Sequence, residues 1–123
     1  MQRSRRIASD HFRSYTTIRL INIITTADKR ETLERIGRSL LERRLVACIQ
    51  VLGPVRSTYW WEGRLEEAEE WMGVMKTRDE LYDEVEREIK ALHPYEVPEI
   101  AAVRAERVLD AYGRWVVEET SAG

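Results

Sequence analysis

The chain has one cysteine, Cys48, among 123 residues. A disulfide framework within one chain is therefore excluded, and a cytoplasmic location is the simpler expectation. Histidines number only two. One Cys and two His cannot close a Cys/His zinc site in one subunit, so any metal site must borrow carboxylates, water or a second subunit. No apolar run approaches the roughly 20 residues of a membrane span. The opening MQRSRRIASDHFRSY lacks the apolar segment of a secretory signal. Net charge is only −2, without the strongly basic footprint of a nucleic-acid binder. Neither membrane nor nucleic acid is expected as a partner. There is no G-x-S-x-G, no phosphate-binding glycine loop and no H-E-x-x-H, and no nucleophile–base pair stands out, so no catalysis is expected.

What is present suits one globular domain with one core: 43% hydrophobic and 34% charged residues. Residues 1–15 carry Arg3, Arg5, Arg6 and Arg13 with no apolar period, and are expected to be a flexible basic arm. Residues 16–123 make the domain. TIRLINIITT (17–26) has the β-branched composition of a buried strand. Asp28 with Glu31 has capping-box spacing for a helix bearing Leu33, Ile36 and Leu40 on one face. LVACIQVL (45–52) and VRSTYWW (55–61) read as one strand, bent or bulged at Gly53-Pro54. Glu62-Gly63 is a hairpin turn. RLEEAEEWMGVMKT returns as a long strand, acidic first and apolar after. Thr77 and Glu80 predict a second capping box, with Leu81, Val85, Ile89 and Leu92 as the buried stripe. His93-Pro94 ends that helix, because the residue before proline is pushed out of the α region. IAAV (100–103) is a short strand, and Asp110 predicts the cap of a last small helix with Tyr112, Trp115 and Val116.

The order is β-α-β-β-α-β plus a small helix, an α+β, ferredoxin-like sandwich with a long hairpin between its second and third strands. Two helices are expected on one face of the sheet, with the other face open. That face, the hairpin and four tryptophans suggest burial by self-association.

Several segments in this order resemble the CutA family of divalent-cation-tolerance proteins. They are ERRLVAC (42–48), STYWWEG (57–63), KTR (76–78) and HPYEVPEI (93–100), followed by Tyr112 and Trp115. The resemblance spans about residues 17 to 120. It implies a cytoplasmic homotrimer that binds divalent metal such as copper(II), takes part in the response to metal ions, and needs no organic cofactor. Metal-binding members can carry a cysteine near the end of the first strand and a His-His pair before Pro-Tyr; here Thr25 and Leu92-His93 stand there. The glycine usual before Tyr112 is Val108.

The candidate metal donors are His93, whose imidazole suits Cu(II), and the carboxylates of Glu96 and Glu99 around the rigid Pro98. The plainer reading of His93 is a helix C-terminal residue that interacts with the last carbonyls, and that of the two glutamates is a polar turn. Cys48, Tyr59, Trp60, Trp61, Lys76 and Tyr95 are assigned to an inter-subunit or ligand cleft. Trp60 and Trp61, adjacent on a strand, point to opposite sides and form no single platform. The acidic run Glu66, Glu67, Glu69 and Glu70 reads as a solvated arm. Trimers of ferredoxin-like subunits also serve as nucleotide sensors, so the alternative expectation is a small molecule or nucleotide in the inter-subunit cleft.

Overall fold

The computed structural model describes residues 18–121, and the basic arm expected over 1–15 lies outside them. The elements are β1 (Leu20–Ala27), α1 (Arg30–Glu42), β2 (Cys48–Trp61), β3 (Arg64–Arg78), a 3-10 turn (Asp79–Leu81), α2 (Tyr82–Leu92), β4 (Ile100–Arg104) and α3 (Asp110–Glu119). The four strands form one antiparallel sheet in the order β2-β3-β1-β4. This is the ferredoxin-like arrangement.

Alternation along the strands decides which side chains meet the helices. Ile21 and Ile23 of β1 and Met75 of β3 pack with Ile36 and Leu40 of α1 and Val85 and Ile89 of α2, forming one core. On the outward face of α1, Arg30–Glu34 and Arg38–Glu42 form ion pairs one helical turn apart. Such exposed pairs contribute about 0.2–0.5 kcal/mol each. α1 stops at Arg44, which takes a left-handed φ of 59°. The Arg44 N–H then donates to Leu41 O and the Leu45 N–H to Leu40 O. That is a Schellman closure, and its apolar partners Leu40 and Leu45 both belong to the core.

β2 and β3 pair from Cys48↔Lys76 to Trp61↔Arg64, with the expected irregularity between Leu52 and Val55 at Gly53-Pro54. Positive φ at Glu62 (51°) and Gly63 (78°) closes the hairpin as a two-residue turn. Glu70, read in sequence as part of a solvated arm, is instead buried. The tip is bare: Trp60 is 71% exposed and Leu65 62%.

Five local expectations are corrected. α1 begins at Arg30, so Asp28 stands one position too early to cap it, and the N-cap is Lys29 without a side-chain bond. The Thr77 hydroxyl is buried and donates to Leu45 O at 2.6 Å, so it ties β3 to the segment before β2 and caps no helix. A 3-10 turn intervenes before α2. Leu92 ends α2 on its outer side and is 41% exposed. Asp110 is the first residue of α3 and pairs with Arg114 at 2.5 Å, while Leu109 holds the cap position. The fifth concerns the face away from α1 and α2, which is only partly open. Arg78 Nε donates to Thr120 Oγ1 (2.9 Å) at the end of α3, and Lys76, on the same side of β3, lines a cavity with Tyr112. α3 therefore covers one end of that face.

Candidate functional site

HPYEVPEI folds into a compact knot around His93, which is 8% exposed. Carbonyls of alternate β1 residues point to the same edge. Leu20 O accepts from the Ala105 N–H there, so Thr26 O points the same way. β4 ends its pairing with β1 at Thr25↔Ile100, one residue short of Thr26. The imidazole fills the gap, with Nε2 2.7 Å from Thr26 O. Because that carbonyl only accepts, Nε2 carries the proton. Nδ1 then accepts from the Tyr95 N–H at 3.1 Å. The Tyr95 ring lies 4.6 Å from the imidazole, and its hydroxyl donates to Glu70 Oε2 at 2.9 Å. Burial first, then the Glu70 carboxylate, pushes the Tyr95 phenol well above its ordinary value.

Both ring nitrogens of His93 are thus committed. Glu96 and Glu99 are exposed, and among the described residues no three His, Cys, Asp or Glu side chains gather closely enough to hold a metal ion. One chain as folded does not fit a tight copper site.

The residues assigned to a cleft fall in separate places. Cys48 and Lys76 face each other at the α3 end of the sheet, with the Tyr112 hydroxyl beside the thiol. Burial pushes the Cys48 thiol up against the opposing pull of Lys76. Burial and then Cys48 push Tyr112 up to about 12. Tyr95 lies six strand residues away at Glu70, a distance of about 20 Å along β3. Tyr59, opposite Glu66, is near enough to Tyr95 to push its phenol further up, and Trp60 and Trp61 are farther out, opposite Leu65 and Arg64. Within one subunit these six do not line a common cleft.

Residues 21–119 match the model of the CutA1 divalent ion tolerance protein family. This chain belongs to the CutA1 family. A divalent-cation tolerance protein CutA of Pyrococcus horikoshii is 41% identical over 101 residues, covering 82% of this chain and 98% of that protein. A human Protein CutA is 30% identical over 115 residues, covering 94% of this chain and 64% of that protein. Among solved structures, CutA1 from Ehrlichia chaffeensis superposes with a TM-score of 0.82 at 28% identity, over 87% of this chain and all of that one. A periplasmic divalent cation tolerance protein CutA from Archaeoglobus fulgidus gives 0.81 at 40% identity, over 83% of this chain and 99% of that one. The family model and the Pyrococcus horikoshii relative are named for tolerance and not for a reaction.

Against the CutA resemblance drawn from sequence, Thr25 is fully buried on the helix side of the sheet and its hydroxyl has no partner among the described residues. Sequence reasoning missed Thr26 and Glu70, the two groups that fix His93 and Tyr95. Glu70 is one of four acids in a short run, and nothing local marks it as the buried one.

Proposed function

We propose that this chain acts in the cytoplasmic response to divalent metal ions as a homotrimer that binds copper(II) or a similar cation weakly and catalyses no reaction. Family membership supports the metal relation. The bare, apolar hairpin tip supports self-association, since exposed aromatic clusters of this kind are enriched in interface cores. The observation that carries the rest is the state of His93. Its nitrogens are spent on Thr26 and Tyr95, so a cation meets no ready donor set within one chain. It would be held where Glu96, Glu99 and a yielding His93 meet donors of a neighbouring subunit, at the cost of a hydrogen bond. Weak affinity follows.

Copper(II) calorimetry on the purified oligomer, with light scattering for its mass, tests this. Expected are a trimer and micromolar or weaker binding that falls in Glu96→Gln/Glu99→Gln, a pair of changes on exposed side chains. Unchanged affinity in both this pair and His93→Ala places the metal elsewhere. A monomer at micromolar concentration refutes the assembly.

A further inference from the structure

A cavity of about 680 Å³ lies on the α3 side of the sheet. Leu20, Asn22 and Lys76 contribute from the strands, Tyr112 and Trp115 from α3, and Arg107 from the connector between β4 and α3. Its size falls in the range of about 300–1,000 Å³ usual for small-molecule pockets. It is built by one chain, apart from the His93 knot and from the hairpin tip.

Its charge is the unusual property. No acidic side chain among the described residues lines this cavity, whereas a lysine and an arginine do. Of the 13 arginines among the described residues, eight are held in ion pairs, at 30, 38, 43, 44, 56, 78, 104 and 114, and Arg19, Arg35, Arg64 and Arg87 in none. Arg107 has no such partner among the described residues. Lys76 Nζ has only the neutral Gln50 Oε1, at 3.0 Å. Both cations line one half-apolar cavity, and a ligand that brings negative charge meets them both. A guanidinium grips a carboxylate or phosphate through paired N–H groups, and an ammonium adds a point charge. The remaining wall is aromatic: the Tyr112 and Trp115 rings stack at 5.7 Å with 29° between their planes. The Trp115 indole N–H is buried without an acceptor among the described residues. Such a wall takes a planar or apolar body.

We propose that this cavity binds a small organic anion, with its charged group between Lys76 and Arg107 and its apolar body against Leu20, Tyr112 and Trp115. The site is independent of metal binding and stands or falls separately from it.

The test uses the full chain with 2-naphthoate as probe and 2-naphthamide as its uncharged counterpart. Binding is read by calorimetry and by the indole N–H resonances in a nitrogen–proton correlation spectrum. Saturable naphthoate binding is expected, with the Trp115 indole signal moving most. Affinity falls about tenfold in Arg107→Gln and further in Arg107→Gln/Lys76→Gln, the loss expected for charge-assisted hydrogen bonds. It also falls with added salt. Naphthamide binds at least tenfold more weakly. Arg107 is exposed and Lys76 partly so, so both variants keep the fold, which circular dichroism verifies. Equal binding of acid and amide reduces the cavity to an apolar patch and overturns the proposal. So does naphthoate affinity unaltered in the double variant, or the absence of saturable binding to the parent protein.

Discussion

Truncating His93 to alanine removes the piece that joins α2, the end of β1 and the PYEVPE loop. Two hydrogen bonds go, to Thr26 O and from the Tyr95 N–H, each contributing about 1 kcal/mol net. The Thr26 carbonyl is then left without its partner beside a cavity, which costs about 1–3 kcal/mol, less whatever entering water restores. Contact with the Tyr95 ring at 4.6 Å is lost as well, about 0.5–1 kcal/mol. The expected destabilisation is about 3.5–6 kcal/mol, at the lower end where water enters, a large part of the roughly 5–15 kcal/mol of a whole domain. Urea unfolding at one fixed protein concentration measures it, because self-association otherwise adds to apparent stability. Amide hydrogen exchange supplies the local readout. The Tyr95 amide loses its acceptor in His93→Ala, so it exchanges much faster than neighbouring amides in α2. Glutamine at 93 can still donate to Thr26 O and recovers about 1 kcal/mol, the worth of one hydrogen bond. A loss below about 1 kcal/mol, with the Tyr95 amide still protected, refutes the assignment of His93 as a structural tie.

Thr25→Val exchanges a buried hydroxyl without a partner among the described residues for a methyl of similar size. Stability is expected to rise by about 1 kcal/mol in the same assay, and a fall means that the hydroxyl is satisfied after all. Glu88→Gln tests the link between α2 and α1. The hydrogen bond from Ser39, opposed by some burial and aided by Arg43, holds the Glu88 carboxyl below its ordinary value. A lowered folded value means that the stabilisation is present above the unfolded pKa of about 4.3 and fades as pH falls through the folded one. The variant is therefore expected to lose about 1 kcal/mol at pH 7 and to approach the parent as the pH falls through the folded value. A gap that persists in acid argues against the ionised pair.

The long-range order of elements was legible because each carries a strong pattern of its own. β1 is rich in β-branched residues, α1 repeats Leu33, Ile36 and Leu40, and the Glu62-Gly63 turn with the Met72-Val74 pattern favours a hairpin over a helix at 64–71. Capping was read less well. Thr77 stands three places before Glu80, but the segment between α1 and β2 claimed its hydroxyl through Leu45 O, and local spacing cannot foresee a tertiary competitor. His93 was recognised as the residue that stops α2. Its acceptor, 67 residues earlier on β1, depends on where β4 gives out, which no local pattern encodes. The cavity under α3 was out of reach for the same reason. Lys76 and Arg107 are unremarkable in a chain with 20 lysines and arginines, until α3 folds back over the sheet and sets them on one cavity that no acid of the described residues lines.

The irregularity at Gly53-Pro54 has a consequence for what the sheet can recruit. β2 is an edge strand of 14 residues. An uninterrupted edge of that length is a template on which strands of other chains can stack without limit. Proline offers no N–H, and the pairing phase shifts between Leu52 and Val55. The edge is thereby divided into two short rungs, residues 48–52 and 55–61. An incoming strand can engage one of them in phase but not both. Fibrous growth meets a break in the ladder, while a short, matched strand from a defined neighbour still finds a place to dock.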